Sequence, residues 1–126
     1  MTTKRVLVID DDEDIQDVAR VALEVVGGWE VITASSGREG LRLAATELPD
    51  AILLDVMMPD LDGISTLKQL KANPATQPIP VILLTAKVQS SDRDRFTQLE
   101  IVGIIAKPFK TMLLAARVSE ILGWED

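Results

Sequence analysis

Three observations predict an α/β fold: a doubly wound (βα)5 chain with an open, five-stranded parallel sheet covered by helices on both faces. The aliphatic runs Val6-Leu7-Val8-Ile9, Ala51-Ile52-Leu53-Leu54, Val81-Ile82-Leu83-Leu84 and Gly103-Ile104-Ile105-Ala106 read as strands buried on both sides. Stretches with helical periodicity separate them, and alternation of the two patterns builds a parallel sheet. Each run also ends on a polar residue, in turn Asp10, Asp55, Thr85 and Lys107. In such sheets ligands sit beyond the carboxyl ends of the strands, so these four side chains are expected to meet at one edge.

The first strand follows directly on Met1-Thr2-Thr3-Lys4-Arg5. Ile15, Val18, Ala19, Ala22 and Val26 then fall near i, i+3, i+4, i+7 and i+11, the stripe of a first helix that Gly27-Gly28 stops. Trp29-Glu30-Val31-Ile32-Thr33-Ala34 mixes polar and apolar residues and suits an edge strand. Ser36 and Glu39 form a capping box for a second helix, with Leu41, Ala44, Ala45 and Leu48 on one face and Pro49 as its stop. After the third strand, Val56-Met57-Met58-Pro59-Asp60-Leu61-Asp62-Gly63 has the composition of a loop. Ile64, Leu67 and Leu70 mark a third helix that begins near Asp62. Residues 87–100 hold few apolar side chains beyond Phe96 and Leu99, although Ser91 with Asp94 offers another capping box. A fourth helix there is expected to be short and mobile. Leu114, Val118, Ile121 and Leu122 define a closing helix that ends near Gly123. No repeat or linker interrupts the pattern, which predicts one domain over residues 1–126 with no output domain.

At 126 residues the chain is long enough to bury a core without a covalent staple. It has no cysteine and no histidine, which excludes disulfides, thiolate sites and the commonest zinc ligand. Any metal must be a hard cation held by oxygen. The formal charge is −7, with no basic cluster, so nucleic acid is not an expected partner. No membrane-spanning run or signal segment is present, and a soluble cytoplasmic protein is expected.

Asp10-Asp11-Asp12-Glu13-Asp14 packs five acids into five consecutive positions. Two like charges about 4 Å apart repel by roughly 4 kcal/mol at an effective dielectric near 20, and a bound cation relieves that repulsion. Asp12, Glu13 and Asp14 are read as the cap and dipole complement of the first helix. Asp10 and Asp11, at the strand end, are read as ligands. Asp55 is the best candidate nucleophile, because a carboxylate can accept a phosphoryl group when a divalent cation offsets the developing charge. Lys107, followed by Pro108 at a strand end, has a fixed approach to the same place.

Four blocks in this order and spacing resemble the receiver domain of bacterial two-component response regulators. They are Val6-Leu7-Val8-Ile9-Asp10-Asp11, Leu54-Asp55-Val56-Met57-Met58-Pro59-Asp60-Leu61-Asp62-Gly63, Leu84-Thr85-Ala86 and Lys107-Pro108-Phe109. The resemblance implies a flavodoxin-like sheet in the order 2-1-3-4-5 and a cis peptide before Pro108. It also implies a signalling face formed by the fourth helix, fifth strand and fifth helix. Asp55 would be the phosphoacceptor, and Mg2+ would be held by Asp10, Asp11, Asp55 and the backbone carbonyl of Met57. Thr85 would hydrogen-bond a phosphoryl oxygen, and Lys107 would pair with Asp55 and then with the phosphoryl group. The implied donor is a phosphohistidine on a sensor histidine kinase or a phosphotransfer protein. The signal would leave through a downstream protein target or by onward phosphotransfer, from a monomer or a phosphorylation-dependent homodimer. The resemblance implies a regulatory phosphoacceptor rather than an enzyme. The chain departs from the pattern three residues before the lysine, where Ile104 replaces an aromatic ring, and at Glu100-Ile101, where Gly-Ala is common.

Two alternatives belong to other classes. A haloacid dehalogenase-type phosphohydrolase also uses an aspartyl nucleophile, and Asp10-Asp11-Asp12 contains an Asp-x-Asp, but there the nucleophile follows the first strand and a cap domain binds substrate. A degenerate receiver serving only as a scaffold would not need the full set Asp10, Asp11, Asp55, Thr85 and Lys107. A calcium loop fails because Ile15 stands where Gly is needed and Val21 where Glu is needed.

Overall fold

The computed structural model describes residues 3–86 and 99–124. The strands are β1 (Arg5–Ile9), β2 (Glu30–Ala34), β3 (Ala51–Asp55), β4 (Val81–Thr85) and β5 (Gly103–Ala106). They form one fully parallel sheet in the order β2-β1-β3-β4-β5, matching the expected sheet and placing β2 at an edge. The register sets Ile9 opposite both Ala34 and Leu54, and Asp55 opposite Leu84, so the strands terminate at nearly the same level. That common level brings the residues at the carboxyl ends of β1, β3, β4 and β5 to one edge.

The described helices are α1 (Glu13–Val21), α2 (Gly37–Glu47), α3 (Gly63–Ala72) and α4 (Thr111–Leu122). The helix expected near Ser91 and Asp94, and its expected mobility, fall outside the described residues. No helix among the described residues is long and apolar enough to cross a membrane.

Alternation along each strand sends side chains to two cores. Val6, Val8, Leu53, Ile82 and Leu84 pack with Ala19 and Leu23 of the first helical segment and Leu114 and Val118 of α4. Leu7, Ile9, Ile52, Leu54 and Leu83 pack with Ala44 of α2 and with Leu67 and Leu70 of α3. Each fully buried Leu or Ile contributes about 1.5–3 kcal/mol, which is why the interior positions of the central strands are all aliphatic. At the amino ends of the strands, Trp29 and Trp124 meet edge to face at 5.1 Å, with the Lys4 ammonium 5.0 Å from the Trp124 ring.

Two predicted helix faces are displaced. The first helix buries Gln16, Ala19, Ala22 and Leu23, whereas Val18 and Val26 are exposed. Beyond Val21 the helix continues as a π turn (Ala22–Val26), with the Gly27 N–H donating to the Ala22 carbonyl at 3.3 Å. Its i→i+5 closure takes Val26 off a stripe drawn with a 3.6-residue period. In α2 the buried residues are Gly37, Gly40 and Ala44, while Ala45 and Leu48 face solvent. Glycine carries no apolar weight in a periodicity, yet a Cβ at Gly40 would overlap Ile9, so the helix sits close on β1 only because that atom is missing.

Candidate functional site

Each side chain at the carboxyl edge is fixed by its own element. Asp10 follows β1, and its N–H donates to the Ala34 carbonyl at 3.0 Å. Asp12 caps α1, accepting at Oδ1 from the N–H groups of Asp14 (2.9 Å) and Ile15 (3.4 Å), so the acidic run divides as expected into a cap and a pair at the sheet edge. Asp55 is the last residue of β3. Asp62 caps α3 through a 2.7 Å bond from the Ser65 N–H, confirming the long loop after Asp55. Within that loop the Gly63 N–H donates to the Val56 carbonyl at 3.0 Å, and a Cβ on Gly63 would overlap the Asp55 carbonyl oxygen. Only glycine lets α3 begin this close to Asp55.

The structure brings Asp10, Asp11 and Asp55 together, with one carboxylate oxygen of each within 4.8 Å of the others. Asp10 is fully buried and Asp55 is 5% exposed, whereas Asp11 faces solvent. Lys107 lies between the two buried acids, its Nζ 2.6 Å from Asp10 Oδ2 and 3.2 Å from Asp55 Oδ1. Three carboxylates against one ammonium leave an excess of negative charge, and the all-oxygen donor set fits a hard divalent cation such as Mg2+.

The electrostatics follow from that crowding. Burial, then the Asp10 charge, push the Asp55 carboxyl up to about 6, against the pull of Lys107 and the Met57 N–H. Burial draws the Lys107 ammonium down, but its hydrogen bond with Asp10 and the charges of Asp10 and Asp55 outweigh this, so its pKa stands above the ordinary lysine value.

Thr85 ends β4, buried, one strand beyond Asp55, and its carbonyl accepts from the Lys107 N–H at 2.9 Å. The Lys107–Pro108 peptide is cis, as the resemblance implied. Met57 is 61% exposed at the rim, and its N–H reaches Asp55 Oδ1 at 3.4 Å. Ile104 packs, partly buried, against the core shared with α2 and α3. Sequence reasoning missed Gln16, whose buried amide donates to the Asp10 carbonyl at 2.6 Å and to Ser35 Oγ at 3.1 Å. The available signal was a polar residue in register with the core-facing positions 19 and 23.

Residues 6–119 match the response regulator receiver domain family. The chain is 43% identical over 119 residues to the alkaline phosphatase synthesis transcriptional regulatory protein PhoP of Bacillus subtilis, covering 94% of this chain and 48% of that protein. It therefore spans about half the length of this curated relative. Among solved structures, the chemotaxis response regulator CheY4 of Vibrio cholerae is similar with a TM-score of 0.88 and 28% identity, over 95% of this chain and 99% of that one. The receiver domain of the sensor histidine kinase PA1611 from Pseudomonas aeruginosa PAO1, which has a magnesium ion coordinated in its active site cleft, gives 0.85 and 30%, over 97% and 99%. Fold, strand-end carboxylates and sequence match converge: the chain belongs to the response regulator receiver domain family, the regulatory phosphoacceptor domains of two-component signalling.

Proposed function

We propose that Asp55 is the phosphoacceptor of this domain, taking a phosphoryl group from a phosphohistidine on a sensor histidine kinase or phosphotransfer protein in the cytoplasm. The observation that carries this reading is the placement of a buried carboxylate at the end of β3, beside two further carboxylates and 3.2 Å from the Lys107 ammonium. An Asp55 carboxylate oxygen attacks phosphorus in line, the phosphorus–nitrogen bond to the donor imidazole breaks, and its electron pair leaves with the ring nitrogen, which is protonated from solvent. The product is an acyl phosphate on Asp55. With its carboxyl near 6, Asp55 is mostly ionised at pH 7 and able to attack.

Asp10, Asp11, Asp55 and the Met57 carbonyl are the groups that hold Mg2+. When bound, the cation offsets the charge on the transferring phosphoryl oxygens. Lys107 then shifts its pairing from Asp55 toward the phosphoryl group, and the Thr85 hydroxyl donates to a phosphoryl oxygen. This changed bonding biases a pre-existing equilibrium that a downstream protein target reads, by contact, by onward phosphotransfer or through homodimer formation.

Intact-mass measurement after incubation with acetyl phosphate tests the reading. The wild type should gain one phosphoryl mass only with Mg2+ present, and Asp55→Asn should gain none. A wild type that gains nothing, or a variant that still gains the mass, contradicts it.

A further inference from the structure

Asp10 is tethered at four points. Its N–H donates to the Ala34 carbonyl (3.0 Å), Oδ1 accepts from the Asp12 N–H (2.9 Å), Oδ2 accepts from Lys107 Nζ (2.6 Å), and its carbonyl accepts from Gln16 Nε2 (2.6 Å). Two of these tethers come from the backbone, and the third, Lys107, is the group drawn toward an incoming phosphoryl on the reading above. Gln16 is therefore the one side chain among these partners that holds Asp10 and takes no part in the chemistry. Its geometry suits the task. A backbone carbonyl can only accept, so the nitrogen end of the amide must face Asp10, and the second proton of that nitrogen points to Ser35 Oγ at 3.1 Å. One planar amide, 9% exposed, joins the end of β1 to the β2–α2 loop.

We propose, resting on the assignment of Asp10 as a Mg2+ ligand, that Gln16 is a positioning residue for the cation site. By clamping the Asp10 backbone to the loop at Ser35, it keeps the Asp10 carboxylate aimed toward Asp11 and Asp55. Mg2+ tolerates little departure from octahedral geometry, so a displaced first ligand weakens binding even when every ligand is still present. Mutating the partners that orient metal ligands typically costs about 10- to 100-fold in metal affinity or activity.

The test is calorimetric titration of Mg2+ into the full chain, with melting temperatures in EDTA measured alongside. Gln16→Met keeps the shape of the side chain and removes both donors; its Kd for Mg2+ should rise about five- to tenfold. Ser35→Ala, at an exposed position that does not threaten folding, should raise the Kd about twofold by freeing one end of the amide. Acetyl phosphate labelling of Gln16→Met should recover toward the wild-type rate at saturating Mg2+. A Kd unchanged in Gln16→Met, with only a lower melting temperature in EDTA, shows a merely structural glutamine and overturns the proposal. If Gln16→Met does not fold, an unchanged Kd in Ser35→Ala overturns it. Asp10→Asn separates the two ideas. A wild type that binds no more Mg2+ than Asp10→Asn removes the ligand assignment itself, whereas tight wild-type binding matched by Gln16→Met removes only the role of Gln16.

Discussion

Asp55 carries a charge that the fold tolerates at a cost. Its carboxyl is raised from 3.8 to about 6, chiefly by burial and by Asp10, so the folded state holds that proton more firmly than the unfolded chain does. The folded protein is therefore penalised by ionising Asp55, fully above pH 6 and progressively less as pH falls from 6 toward 4. In metal-free buffer, Asp55→Asn should stabilise the protein by about 2 kcal/mol at pH 7.5, with the gain fading by pH 4. Urea denaturation across that range measures it; a variant no more stable than wild type at pH 7.5, or a gain that grows toward acid, contradicts the electrostatic description. The convergence of Asp10, Asp55, Thr85 and Lys107 on the carboxyl edge was legible because each closes an apolar run, and the strands of a parallel sheet end together at that edge. For Gln16 the sequence held only its register with the core-facing positions 19 and 23. A stripe drawn from apolar residues passes over a buried amide whose burial depends on one carbonyl acceptor, and that acceptor is known only once β1 and α1 are placed in space.

At the scale of elements, close backbone approach explains most of what periodicity missed. The face of α2 is built on Gly37, Gly40 and Ala44, which score as weakly apolar or neutral, while Leu48 scores high and takes the exposed left-handed cap at φ 45°. The capping box itself was legible, with Ser36 Oγ accepting from the Glu39 N–H at 3.1 Å. Its return bond differs by one residue, since Glu39 Oε1 accepts from the Ser35 N–H at 2.6 Å rather than from Ser36. Gly63 gives the sharpest test of steric control. Helix propensity alone favours alanine over glycine by up to about 1 kcal/mol. The overlap of a Cβ with the Asp55 carbonyl should reverse that sign, so Gly63→Ala should lose about 1–3 kcal/mol and slow labelling of Asp55. Chemical denaturation decides between them, and a Gly63→Ala protein as stable as wild type contradicts the contact.

For the whole molecule, the α/β class followed from buried strands alternating with helices, and the parallel sheet followed from the class. The strand order came from the family resemblance, because local pattern carries no information about which strands become neighbours. The same resemblance supplied the cis bond before Pro108, which no periodicity encodes. Charge also acts at this scale: the chain carries −7, and three of its carboxylates converge within 4.8 Å. A ligand that binds only the folded state stabilises it by an amount set by concentration over Kd, about 2.7 kcal/mol at a hundredfold excess. Mg2+ should therefore raise the melting temperature of the wild type, with the shift lost in Asp10→Asn and retained in Asp12→Asn, whose carboxylate caps α1. Scanning calorimetry with Mg2+ and with EDTA checks this, and an equal shift in all three proteins would place the cation elsewhere.

The most direct measurement locates the phosphoryl group. Protein labelled with acetyl phosphate and Mg2+ is reduced with borohydride, which converts an acyl phosphate at an aspartate to homoserine, and is then sequenced by tandem mass spectrometry. Homoserine should appear at position 55 and not at 10, 11 or 12. Conversion at another aspartate, or labelling that survives borohydride as a stable phosphoester, would contradict Asp55 as the acceptor.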